Sequence, residues 1–196
     1  SAVIRKHLDK NDKVFHGDIF GSPFFILKDA ENVPDTTMNE IAHATVCFSR
    51  AWREALYGVS AYWVLPDQVK KSAPSGEFLP KGSFTIEGQR NFIKSETLKL
   101  AVGIIQLEDN DHVLTCGPPE AIKKNSICYA IIEPNGSEMA ECAKKIRLEF
   151  LKIFEDITRK INVDEFVRAL PAGKSQIKEI SLGDLEKRKI IDNELD

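Results

Sequence analysis

Apolar positions along the chain switch repeatedly between a period of two and a period near 3.6, the pattern of strands alternating with helices. Val3 to Leu8 reads as the end of a helix. Val14 to Ile19 then alternates, Gly21, Ser22 and Pro23 supply turn chemistry, and Phe24 to Leu27 is a short apolar run, which predicts a β-hairpin. After the polar stretch Asp29 to Asp35, the residues Met38, Ile41, Ala42, Thr45, Cys47, Phe48 and Trp52 fall mainly at helical spacings behind a capping Asp35 or Thr36, predicting one helix that reaches Trp52. Ala61 to Leu65 is aromatic and β-branched between Gly58 and Pro66, and predicts a strand. The segment Gln68 to Gly82, QVKKSAPSGEFLPKG, mixes two prolines, two glycines and three lysines with few apolar residues, so it predicts an exposed loop. Loops of that length are usually functional or disordered. Ser83 to Glu87 and the dense run Leu98 to Leu107 predict two more strands.

The second half continues the alternation. It predicts a strand at Val113 to Cys116, a helix opening at Pro118 and Pro119, a strand at Ile127 to Ile132 and a turn at Pro134, Asn135 and Gly136. Ser137 caps a long helix to about Ile161, striped by Met139, Cys142, Ala143, Ile146, Phe150, Ile153 and Ile157. A short helix from Asp164 ends at Pro171, Ala172 and Gly173. The resulting expectation is an α+β fold: a mostly antiparallel sheet of five to seven strands, with the Thr36 and Ser137 helices packed mainly on one face. Residues 1–105 form the expected core and 106–175 an α/β extension packed on it. A charged, partly mobile tail is expected over 176–196.

Composition narrows the function classes. With 196 residues, 42% hydrophobic and 29% charged, the chain can bury an ordinary core without a disulfide or metal staple. Cys47, Cys116, Cys128 and Cys142 stand apart with no CxxC pair and no His at zinc-ligand spacing, so reduced structural thiols are expected. No stretch approaches the roughly 18 to 20 apolar residues that span a bilayer, and there is no basic and apolar leader. A cytoplasmic location without a membrane partner is the expectation. The formal net charge of −3 excludes a polycation that grips nucleic acid over its whole surface, so any basic site is local. Residues 1–94 hold 12 Lys plus Arg against 11 Asp plus Glu, and the remainder 15 against 19.

The candidate chemistry concentrates in residues 68–94, where five Lys or Arg face two Glu. Lys70, Lys71 and Lys81 lie in the loop, flanked by Arg50 and Arg53 before it and Arg90 after it. Cations neutralise phosphate, glycines such as Gly76 and Gly82 let backbone N–H groups approach an anion, and Ser72, Ser75 and Ser83 add donors. Composition alone leaves a merely solvated loop equally open. No Walker-type glycine run points to a nucleoside triphosphate. His16 and Asp18 share one face of the first strand, but two ligands are too few for a zinc site, which favours a hydrogen-bonded structural or RNA-facing role. Tyr62 and Trp63 could stack on bases, although aromatic residues in a short apolar strand are more often core. With no GxSxG, no HExxH and no Cys beside a signature His, neither catalysis nor a cofactor is expected.

Four stretches carry a family resemblance: KHL at Lys6 to Leu8, VFHGDIFGSPFFILK at Val14 to Lys28, CFSRAW at Cys47 to Trp52, and YWVLPDQVKKSAPSGEFLPKGSFTIEGQRN at Tyr62 to Asn91. Together they resemble the NFACT-R family, formerly a domain of unknown function, over about residues 1–105. The stretch from GPPEAI at Gly117 to LPAGK at Leu170 resembles more weakly the C-terminal extension of archaeal members. The resemblance implies the RNA-binding domain of a ribosome quality-control factor. Such factors join NFACT-R to an NFACT-N domain, a helix-hairpin-helix and a coiled coil. They bind large ribosomal subunits obstructed by peptidyl-tRNA and recruit alanyl-tRNA for template-free tailing, while peptidyl transfer belongs to the ribosome.

The partners so implied are large-subunit RNA, tRNA and the remaining domains of the factor, which this sequence lacks, so it reads as a fragment. Lys70, Lys71, Lys81 and Arg90 are the expected phosphate contacts; Arg50, Gln68, Ser75, Gly76 and Asn91 support them and His16 faces the RNA. The family's HAD is HGD here, QVSK is QVKK, and GSFMIRG is GSFTIEG, where Glu87 replaces a cation and weakens the basic face at one point. The competing reading is a protein-interaction module that docks on a ribosomal protein or on the factor's own coiled coil. A third is an enzyme using His16 and Asp18.

Overall fold

In the computed structural model the described residues are 8–70, 84–95 and 97–194. The expected loop residues Lys71, Ser75, Gly76 and Lys81, and most of the expected N-terminal helix end, lie outside them. The N-terminal strands are β1 (Lys13–Gly17), β2 (Phe25–Leu27), β3 (Ser60–Val64) and β6 (Asn91–Lys94), in the antiparallel order β2-β1-β3-β6. Two short strands, β4 (Val69–Lys70) and β5 (Thr85–Ile86), form a separate ribbon. A second antiparallel sheet contains β7 (Leu100–Gln106), β8 (His112–Gly117), β9 (Ser126–Ser137) and β10 (Ser175–Leu182), in the order β10-β9-β7-β8. The antiparallel α+β class is as the residue pattern predicts, but the strands divide between sheets of 4, 4 and 2 strands rather than forming one sheet.

The helices are α1 (Asp35–Cys47), α2 (Arg50–Arg53), α3 (Pro119–Asn125), α4 (Met139–Ile153), α5 (Glu155–Arg159), α6 (Val163–Ala169) and α7 (Asp184–Glu194). The helix expected to run unbroken to Trp52 stops at Cys47. Ser49 explains the break: its hydroxyl donates to the Val46 carbonyl at 2.6 Å and accepts the Ala51 N–H at 3.1 Å, closing one helix and capping the next. The long helix expected to reach Ile161 is likewise split at Phe154, whose φ of −135° and ψ of 74° are not helical. Asn162 then starts α6 with a capping box, bonding the Glu165 N–H while Glu165 bonds back to the Asn162 N–H.

Pleating assigns the faces. On β1, Phe15 points toward α1 and is fully buried, while Val14 and His16 point to the other side of the sheet. Phe15, Val46 and Trp52 from the N-terminal half share one continuous core with Leu100, Ile104, Ile132, Ile146, Phe150 and Phe166 from the second. Each such side chain contributes roughly 1.5–3 kcal/mol by leaving water. Trp52 also donates its indole N–H to the hydroxyl of Ser175 at 3.1 Å, a buried bond between residues 123 positions apart.

The segment expected as a charged tail from 176 onward is β10 followed by α7, with β10 hydrogen-bonded along β9. The expected boundary at 105 falls inside β7, which pairs with both β8 and β9. Nor does β9 end at the expected turn: it continues to Ser137, with Pro134 opposite Ser175 and the Gln176 side chain donating to the Pro134 carbonyl at 3.1 Å. Between β10 and α7, Gly183 donates its N–H to the Ile127 carbonyl at 2.8 Å and lies so close to β9 that an added Cβ would sit 1.9 Å from the Ser126 carbonyl oxygen.

Candidate nucleic-acid interface

The face of the first sheet turned away from the core gathers rings and cations. Cross-strand register sets His16 opposite Tyr62 and Tyr62 opposite Phe92, which places the three in a row across β1, β3 and β6. Their ring centroids are 5.8 Å and 5.5 Å apart in turn. Phe24 lies 4.7 Å from His16 and meets Phe84 edge-on at 5.7 Å. Over this cluster sits Arg90, its guanidinium 4.8 Å from the centre of the Tyr62 ring, close enough for a cation–π contact. Tyr62 is 4% exposed and Phe92, beside it, 56%.

This packing fixes the local electrostatics. Burial lowers the pKa of His16, and the neighbouring Arg90 pushes it further the same way, while contacts at Gly17 and Ser22 and the Asp18 charge oppose the shift. The imidazole is therefore mainly neutral at pH 7, with its Nδ1 3.4 Å from the Tyr62 hydroxyl. Burial raises the Tyr62 pKa and Arg90 counters it. Asp18 acts here through its charge alone, and among the described residues no group of three or more His, Cys, Asp or Glu is arranged to hold a metal ion.

The expected RNA-contacting residues take different places. His16 and Arg90 share the aromatic face. Lys70 lies in the ribbon opposite Thr85. Gln68 is a positioning residue: its side-chain amide donates to the carbonyls of Glu87 and Gln89 at 2.8 and 2.9 Å and accepts the Leu65 N–H at 2.9 Å, holding the turn that presents Arg90. Asn91 donates to the Trp63 carbonyl at 3.3 Å, joining β6 to β3. Trp63 packs against the core, with the Lys13 ammonium 4.8 Å over its ring, and so does not share the Tyr62 face. Arg50 is ion-paired with Glu54 and lines a separate cleft with Phe20 and Arg53. The exposed ring of Phe92 was absent from the sequence-based set; its signal was the alternation N-F-I-K after the basic Arg90.

A second cluster has the residue types of a thiol catalyst but not the chemistry. His43 and Cys47 are one turn apart on α1, with Sγ 3.5 Å from Nε2. That Nε2 must carry a hydrogen to bond the Lys99 carbonyl at 2.6 Å, and Nδ1 lies 3.1 Å from the Ser95 hydroxyl. The ring nitrogen facing Sγ is thus not free to take the thiol proton, which the thiol donates to the Lys99 carbonyl at 3.9 Å, and burial pushes the Cys47 pKa up to about 12. The Cys128 thiol is held at about 12 for the same reason.

Comparison with known proteins places the chain. The model of the NFACT protein RNA binding domain matches residues 1–88. The archaeal Rqc2 homologue aRqcH of Methanocaldococcus jannaschii is 36% identical over 176 residues, 89% of this chain and 25% of that protein. The Drosophila melanogaster homologue of the ribosome quality control complex subunit NEMF is 30% identical over 166 residues, 83% of this chain and 16% of the relative. Ribosome quality control complex subunit 2 of Schizosaccharomyces pombe is 31% identical over 111 residues, 55% of this chain and 11% of its own length. The chain thus spans a quarter or less of these relatives. It belongs to the NFACT RNA-binding domain family, as an NFACT-R domain of the aRqcH and NEMF type.

Proposed function

We propose that this domain contributes the RNA grip of a cytoplasmic factor that engages stalled large ribosomal subunits carrying peptidyl-tRNA, and that it helps bring alanyl-tRNA for template-free tailing. It acts without catalysis of its own and without a cofactor. Large-subunit RNA and tRNA are its partners, together with the other domains of the factor. The observation that carries this reading is Arg90 seated over Tyr62 beside the exposed Phe92, a cation and a stacking surface on one face. Lys70 and Arg90 meet phosphate, Gln68 and Asn91 hold the backbone that presents Arg90, and neutral His16 supports the face from below.

The test is binding of the chain to tRNA and to large-subunit RNA across a salt series, beside the double variant Lys70→Glu, Arg90→Glu. Phosphate contacts release counterions, so affinity should fall steeply with salt and the variant should flatten that slope by about one to two contacts. Binding indifferent to both salt and charge reversal would instead assign the face to a protein partner.

A further inference from the structure

The cleft lined by Arg50, which includes no residue of the aromatic face, has a chemistry of its own. It encloses about 240 Å³ between the β1–β2 connection, α2 and the segment after α6, and its walls include Phe20, Phe48, Arg50, Arg53 and Ala172. That volume is below the roughly 300–1,000 Å³ of a pocket for a whole small ligand, so it suits one group of a larger molecule. Its cations outnumber their partner. Arg50 bonds Glu54, and the Arg53 guanidinium is 3.8 Å from the same carboxylate oxygen, so two positive charges share one negative. Phe20, at the rim, is 88% exposed, which leaves its ring open to stacking from solvent.

The walls are fixed. Gly21, at φ 80°, lies where an added Cβ would come 3.8 Å from the Cβ of Arg50. Gly173, at φ 126°, lies where an added Cβ would come 2.8 Å from the Cα of Arg53. Residues from the family-matched region and from the extension beyond it therefore build one cleft.

A surplus of guanidinium charge beside an open aromatic ring fits an anion that carries a flat ring. We infer that this cleft takes an unpaired nucleotide of the bound RNA, its base against Phe20 and its phosphate at Arg50 and Arg53. The inference rests on the RNA-binding reading above and adds that the bound strand is single-stranded at this point. In a duplex both faces of each base are already stacked, and Phe20 has nothing to receive. An acidic peptide would satisfy the arginines but leave Phe20 without a role.

The experiment measures fluorescence anisotropy of a labelled oligouridylate and of an RNA duplex of equal length, titrated with the full chain. Phe20 and Arg53 are well exposed, so Phe20→Ala and Arg53→Ala leave the fold intact, as a circular dichroism melt verifies. Phe20→Ala should weaken oligouridylate binding about tenfold and leave the duplex unchanged. Glu54→Gln, which releases both arginines, should tighten oligouridylate binding, and Arg159→Ala, an exposed arginine on α5, should do nothing. If Phe20→Ala and Arg53→Ala bind as the parent does while Arg90→Glu does not, the cleft assignment fails and the RNA-binding reading stands. If the parent chain binds neither RNA, both fail. Displacement of RNA from the cleft by oligoglutamate with the same dependence on Phe20 would overturn the nucleotide assignment in favour of a protein ligand.

Discussion

Asp12 illustrates how a single charged side chain survives in the interior. Its carboxylate is fully buried, which by itself raises the pKa, yet the N–H groups of Asp9 and Asp29 at 2.8 and 3.2 Å and the Lys28 ammonium at 2.7 Å more than offset this and hold it below its ordinary 3.8. A carboxylate with a lowered folded pKa binds fewer protons than in the unfolded chain, so its contribution is complete above about pH 4 and is lost as pH falls through the folded value. A melting-temperature series from about pH 6 to pH 2 should therefore show an acid decline that is shallower in Asp12→Asn, which cannot titrate. The sequence displayed Asp12 as one charge among several; only the fold brings Lys28, 16 positions on, to meet it. The same holds for Tyr62. Its place in a short apolar strand suggested core, and it is buried, but its outer cover is Arg90 and not another helix.

Among the elements, those with an uninterrupted period were legible from sequence: the β1–β2 hairpin, β3, β7 and the apolar stripe of α4. Those that were missed have local reasons. Strand β10 carries Ile177, Ile180 and Leu182, and the register shift between Ile177 and Glu179 breaks the alternation that would have revealed it. Strand β6 is four residues long and half exposed, so its alternation is a weak signal that is easily passed over. The split at Ser49 depends on a hydroxyl that bonds in both directions, which spacing does not encode. Attachment of β10 to the N-terminal half depends in part on the bond from Trp52 to Ser175. Trp52→Phe should cost about 1–3 kcal/mol beyond its loss of volume, since it leaves the Ser175 hydroxyl buried without that partner. Urea unfolding of both single variants and the double with Ser175→Ala should show a double variant less destabilised than the sum, a coupling that strict additivity would refute.

Over the whole molecule, the family-matched residues and the remainder are joined by a common interior. Phe15, Val46 and Trp52 pack in the same cluster as Ile132, Ile146, Phe150 and Phe166. The chain should unfold in a single transition, and a fragment of residues 1–105 should not retain the native fold, because it would expose the apolar side of α1 and β1 to water. Hydrogen exchange is the direct check: amides of β1 protected in the full chain should exchange freely in the fragment, and retained protection would show an independent N-terminal unit. The candidate RNA face lies on the opposite side of the first sheet from this shared interior, so its exposed members Phe92 and Arg90 can be substituted with little cost to folding, whereas Tyr62, buried with Val14 and Val64, cannot.

Gly183 carries a consequence for how this sequence can change over time. Between β10 and α7 the chain presses against the start of β9 so tightly that even a methyl group would overlap the Ser126 carbonyl oxygen. A library randomised at this codon and selected for folded protein would return the parental residue almost alone, while neighbouring surface codons drift. The position thus works as a checkpoint on inheritance: close packing alone restricts it to one amino acid, and a lineage that loses it must rebuild the joint from both sides.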